Sequence, residues 1–170
     1  AQAVGAHPLG RLGLGAGGFK SSDQLVPAIA AFRNGRAART PEMASIEPPR
    51  PLGTVALMRS VIVGESDDQV RADVVDDLLR LEEAVGGGDH TEANRPDRRQ
   101  AASEQFDGII ASEVMIAGSP RTVARAIRER RSQLGFDLFL ANVYAMGASS
   151  ERIHTSLRLL AGPVREQLSN

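Results

Sequence analysis

The chain has 170 residues, 42% apolar and 24% charged, with a net charge of -1; that suits one packed domain or part of a larger one and gives no general electrostatic footprint for nucleic acid. It has no cysteine, which excludes disulfides and thiolate metal sites. With Tyr144, five Phe and no Trp, it is too poor in aromatics to stack single-stranded nucleic acid. No apolar run approaches the ~18 residues of a membrane span, and no charged start with an apolar stretch marks a secretion signal. A cytoplasmic protein without nucleic-acid or membrane partners is expected. The first residue is Ala1 rather than Met, which leaves open a portion before it.

In chain order, Ala1 to His7 reads as the end of a helix, stopped by Pro8 and Gly10. Arg11 to Gly15 is a short strand weakened by its glycines. Ser21 and Gln24 have capping-box spacing, predicting a helix to about Phe32 with a stop at Asn34-Gly35. Four prolines between Thr40 and Gly53 make a loop. Val55 to Val63 is the clearest strand, apolar on both faces as for a strand covered on both sides. Ser66 and Gln69 repeat the capping box, and the following helix carries Val70, Val74, Leu78 and Leu81 on one stripe.

Gly86-Gly87-Gly88 ends that helix. Asp89 to Gln100 is polar and reads as an exposed loop, so that residues 86–105 form an exposed insertion, with a short helix from about Ala101 to Phe106. Glu113 to Ala117 is a strand. Ser119 caps the next helix, with Pro120 in its first turn; Val123, Ile127 and Leu134 are its buried positions, and Gly135 ends it. Phe136 to Val143 is another strand. The last helix starts near Ser149 or Ser150, presents Ile153, Leu157, Leu160, Val164 and Leu168, and is kinked at Gly162-Pro163.

Strands alternating with amphipathic helices imply right-handed crossovers and a parallel sheet, an α/β fold. About four such units are present. That is half of an eight-unit barrel, which needs ~250 residues, or an open doubly wound domain.

The stretch from Ile116 to Leu168 decides the matter by resemblance. Its Gly118-Ser119-Pro120 turn leads into a helix that begins Thr122-Val123-Ala124. Gly135-Phe136-Asp137, a strand, a Gly-containing loop and the ending LRLLAGPVREQL follow. This order resembles the closing segment of luciferase-like flavin-dependent monooxygenases. RSVIVGESDDQVRADV, AQAVGAHPLGRLGLG and LVPAIAAFRNGRA are similar to earlier parts of the same family, in the same order. The resemblance implies the C-terminal half of a (β/α)8 barrel. It also implies a cofactor, FMN or a deazaflavin, used in reduced form with oxygen on a small-molecule substrate. In the family most residues that grip the flavin phosphate lie in the first half, which has no counterpart here, so the chain alone is expected to be inactive and its catalytic residues are unknown. Two further readings stay open: a non-catalytic partner subunit in a homo- or hetero-dimer, and an unrelated α/β binding module.

Barrel chemistry sits where strands end. Gly118 and Ser119 open a helix whose free N–H groups suit an anion, making them the candidate cofactor contacts; capping alone also explains Ser119. Asn142 and Tyr144 are the candidate substrate contacts. Arg59 lies inside an apolar strand, either reaching a cofactor or paired with a carboxylate such as Glu113. His7, His90 and His154 have no metal-ligand spacing, so no metal is expected. Neither a G-x-S-x-G elbow nor a nucleotide fingerprint is present, since Gly13-x-Gly15-x-Gly17 lacks the remaining positions. Arg128 to Arg131, Asp67-Asp68 and Asp76-Asp77 read as solvated helix faces.

Overall fold

The structure, a computed structural model, describes residues 14–16, 20–38, 54–85, 91, 94–143 and 148–169. The expected helix before His7, the proline loop from Thr40 to Gly53, and Tyr144 lie outside the described residues. Four strands and the helices between them form an α/β fold: β1 (Leu14–Ala16), α1 (Ser22–Ala37), β2 (Val55–Val63), α2 (Asp67–Val85), α3 (Arg95–Ala111), β3 (Met115–Gly118), α4 (Pro120–Leu134), β4 (Leu138–Asn142) and α5 (Ser150–Leu159). A π-helical turn, Leu160–Val164, and a short α6, Arg165–Ser169, follow. β2 pairs with each of the other three strands, in parallel with β1 and β3.

The chain divides into two compact units, and the division falls within β2, α4 and β4. One unit holds β1, α1, β2 as far as Arg59, α4 from Glu129, and β4 as far as Leu140. Here Leu14, Gly15 and Ala16 register with Val55, Ala56 and Leu57. The reach-back half of the first capping box is present, with the Ser21 N–H donating to Gln24 Oε1 at 3.1 Å. α1 runs past the expected stop at Asn34-Gly35 to Ala37, because a glycine in a helix costs only about 1 kcal/mol relative to alanine. Its Leu25, Ile29 and Phe32 are buried, as are Val55, Leu57, Leu134 and Phe136 of the same unit. Asp137 is tied to Val55 twice: its N–H donates to the Val55 carbonyl at 2.9 Å, and its Oδ2 accepts from the Val55 N–H at 2.8 Å. Gly135 ends α4 with a φ of 61°, the left-handed conformation that favours glycine.

The other unit holds Ser60 to Val63 of β2, α2, α3, β3, the first part of α4, and the chain from Ala141 on. Ser60 to Val63 register with Met115 to Gly118. Its core cluster is Val70, Val74, Val75 and Leu79 of α2 against Ala102 and Phe106 of α3, with Ile62 and Ala117 packed on it. The buried stripe of α2 therefore runs through Val75 and Leu79, and Leu81 lies beside it. Val123, Ala124 and Ile127 of α4 are buried.

Three sequence expectations are corrected by this geometry. The polar loop from Asp89 to Gln100 is helical from Arg95 on, and α3 extends through Ala101–Phe106 to Ala111. The charges that made the segment look like a loop are paired with α2: Arg98 with Glu82 and Glu83, Arg99 with Asp76, and, later in α3, Asp107 with Arg71. β2 buries one face, Val55, Leu57, Arg59, Val61 and Val63, while Met58 on the other is exposed. The last helix buries Ser156, Leu159 and Val164, leaving Leu157 and Leu168 exposed. The π-turn accounts for Leu168, which lies beyond it, and not for Leu157, which lies before it. Pro163 has no N–H to give, and the wider turn absorbs the missing bond while rotating the residues beyond it.

Candidate functional site

Residues at the carboxyl ends of β2 and β3 build the site. The Gly64 N–H donates to the Gly118 carbonyl at 3.2 Å and ties the two strand ends together. Beyond them α2 and α4 begin. Ser66 caps α2, its hydroxyl accepting from the Gln69 N–H at 3.2 Å. Ser119 caps α4: its carbonyl accepts from the Val123 N–H at 2.9 Å, and its hydroxyl accepts from the Thr122 N–H at 3.4 Å. Sequence reasoning found both caps.

It missed what lies between them. Asp67 Oδ1 accepts from the Ser119 N–H at 2.6 Å, and Oδ2 from the Thr122 hydroxyl at 2.9 Å. The Ser119 N–H, above all, holds the Asp67 carboxyl below the usual carboxylate range, with the Thr122 hydroxyl adding to it and partial burial opposing both. Asp67 is exposed, as its place on a solvated helix face predicts, yet both of its carboxylate oxygens are engaged. The N–H at the Gly118-Ser119 turn is thus engaged by a carboxylate of the same chain.

Beside the end of β2 opens a cleft of about 300 Å³, walled by Val63, Gly64 and α2 on one side and by the start of α5 on the other. Val143, just past β4, borders it. Its polar wall centres on Arg152. Nη1 donates to the Asp73 carbonyl at 2.8 Å and to Asp77 Oδ1 at 2.5 Å, and Nη2 lies 3.1 Å from Asp73 Oδ1. Asp77 is buried and also contacts Arg80. Guanidinium groups compensate the buried carboxylate, as a buried charge requires. The Ser156 hydroxyl is buried and committed, donating to the Val63 carbonyl at 3.0 Å and accepting from the Val63 N–H at 3.1 Å. It closes the strand end rather than serving as a nucleophile.

Asn142, at the end of β4, is exposed. Arg59 is buried and donates to the Met58 and Lys20 carbonyls, each at 3.0 Å; Glu113 sits in a turn before β3 with a φ of 61°. His154 is exposed; His7 and His90 lie outside the described residues. Among the described residues no cluster of His, Cys, Asp or Glu could hold a metal ion, and no helix is long and apolar enough to cross a membrane.

No protein-family model matches the sequence, and no curated protein does. Solved structures do match. Monooxygenase RslO1 from Streptomyces bottropensis superposes with a TM-score of 0.66 at 17% identity, over 96% of this chain and 44% of its own. The fold is a luciferase-like one. Apo-MsnO8 has the same luciferase-like architecture, with a TM-score of 0.56, 19% identity, and coverage of 96% of this chain and 48% of its own. A type II Baeyer-Villiger monooxygenase, the oxygenating constituent of 3,6-diketocamphane monooxygenase from Pseudomonas putida, in complex with FMN, gives 0.54 at 16% identity, over 88% of this chain and 41% of its own. The chain therefore spans less than half the length of the luciferase-like structures it matches, and at these identities the likeness lies in the fold.

Proposed function

We propose that this chain is part of a flavin-dependent monooxygenase, an oxidoreductase that uses reduced FMN or a deazaflavin with oxygen on a small organic substrate. The observation that carries the reading is the likeness of 96% of the chain to monooxygenase RslO1, supported by a second neighbour that holds FMN. A bound flavin would supply the redox chemistry, and the protein would supply position and a dry pocket. Asn142 and Tyr144, on either side of the cleft-bordering Val143, are assigned to the substrate side. Gly118 and Ser119 would meet the cofactor only if Asp67 gave way. The catalytic groups are sought outside this chain. A small-molecule substrate, a cytoplasmic location, and no nucleic-acid or membrane partner complete the reading.

A second reading, a non-catalytic subunit in a homo- or hetero-dimer, draws support from β4, whose Leu138 and Leu140 are 48% and 44% exposed. An apolar strand in that state invites a covering partner. Titration of FMN, followed by flavin fluorescence, into the 170-residue chain and into the product of its complete coding sequence tests both. The proposal expects stoichiometric binding by the complete product and none by the chain alone. A complete product without flavin affinity would overturn it, and a stable flavin-free complex would favour the subunit reading.

A further inference from the structure

The turn after β3 has the form of an anion cradle, with a glycine, a capping serine and the start of a 15-residue helix. It already contains an anion. Asp67 is the first residue of α2, and its two oxygens are divided between a backbone donor and a side-chain donor in the first turn of α4. The backbone around it is shaped to the carboxylate. Gly118 has a φ of 146°, and a Cβ built there would stand 2.6 Å from Asp67 Oδ1 and 2.9 Å from Thr122 Cγ2. Any residue but glycine would push the carboxylate out of the turn. The same contact joins the start of α2 to the start of α4, next to the bond between Gly64 and Gly118 that joins the preceding strands.

We infer that Asp67 is the resident anion of this helix end, and that it closes the Gly118-Ser119 turn to phosphate-bearing ligands for as long as it is seated. A phosphate approaching the Ser119 N–H would meet a donor already engaged and a negative charge within bonding distance of it, so repulsion replaces the attraction of the helix end. Asp67 is a positioning residue by this account: it fixes the two helix starts and sets what the turn rejects. The inference does not depend on the flavin reading, because it concerns phosphate of any origin.

Inorganic phosphate is the probe. Amide shifts of Ser119 and Thr122 are followed by 1H–15N NMR during phosphate titration of the chain, of Asp67→Asn, and of Asp67→Ala. The unaltered chain is expected to show no saturable shift at either amide. Asp67→Asn keeps an oxygen acceptor for the Ser119 N–H and should stay unresponsive. Asp67→Ala empties the turn and should bind phosphate at least about tenfold more tightly than the unaltered chain, with both amides shifting. If the alanine variant fails to fold, Asp67→Ser, shorter and uncharged, replaces it with the same expectation. Saturable shifts in the unaltered chain would overturn the inference, as would a folded Asp67→Ala or Asp67→Ser variant that gains no phosphate binding.

Discussion

Asp67 shows how much a single carboxylate can do when its partners lie far along the chain. Ser119 is 52 residues away and Thr122 is 55. Both caps around this contact could be read locally, since capping is a matter of spacing over three residues. The contact itself could not, because an aspartate in a run such as Glu65-Ser66-Asp67-Asp68 looks like any acidic first turn. Its linkage to pH follows from the lowered carboxyl. A group whose folded value lies below its unfolded one contributes stability that is fully present above the unfolded value. That contribution is lost as pH falls through the folded value. Asp107, lowered by its bond to Arg71, adds to the same loss. Denaturant midpoints recorded between about pH 5 and pH 2 should therefore fall less steeply for Asp67→Asn than for the unaltered chain. An unchanged slope would remove Asp67 from the acid response.

At the scale of elements, α3 is where local reading failed and packing supplies the reason. Its polar, charged start suggested a loop. Asn94, Pro96 and the spacing of Ala102, Phe106 and Ile110 were the available helix signals: a residue type favoured before a helix, a proline at its start, and an apolar stripe at intervals of four. Asn94 makes no side-chain cap, so the helix depends on its stripe and on its arginine pairs with α2. Those pairs are largely exposed at one end or both and contribute little each. Phe106 carries more. It is 7% exposed within the α2–α3 cluster, and Arg71 lies over its ring at 5.3 Å. Phe106→Ala should cost about 3–5 kcal/mol in urea unfolding. A loss below about 1 kcal/mol would mean that α3 does not hold this unit together. By contrast β2, α4 and the irregular turn at Gly162-Pro163 were legible. A largely apolar run, a Ser-Pro start with a terminal glycine, and a Gly-Pro pair each shape local geometry whatever surrounds them.

For the molecule as a whole, the alternation of strand and helix identified an α/β fold, and resemblance rather than periodicity chose the barrel. One face of β2 departs from the sequence reading. β2 was expected to be covered on both sides and has Met58 at 42% exposure, and β4 leaves Leu138 and Leu140 open. Strand patterns of this kind suit a sheet with more around it than the described residues provide. The chain spans 44%, 48% and 41% of the solved structures it matches. Candidate sites were the least legible level. Asn142 and the Gly118-Ser119 turn are candidates only by their place at strand ends, whereas the Arg152 wall and the Ser156 closure depend on α2 and α5 coming together and leave no mark in either segment alone. The most direct test of the half-barrel account is the coding sequence on either side of this chain. The account predicts an in-frame extension of roughly 150 residues or more with further strand–helix units, enough to complete eight. An open reading frame bounded by a start and a stop at the ends of these 170 residues would contradict it.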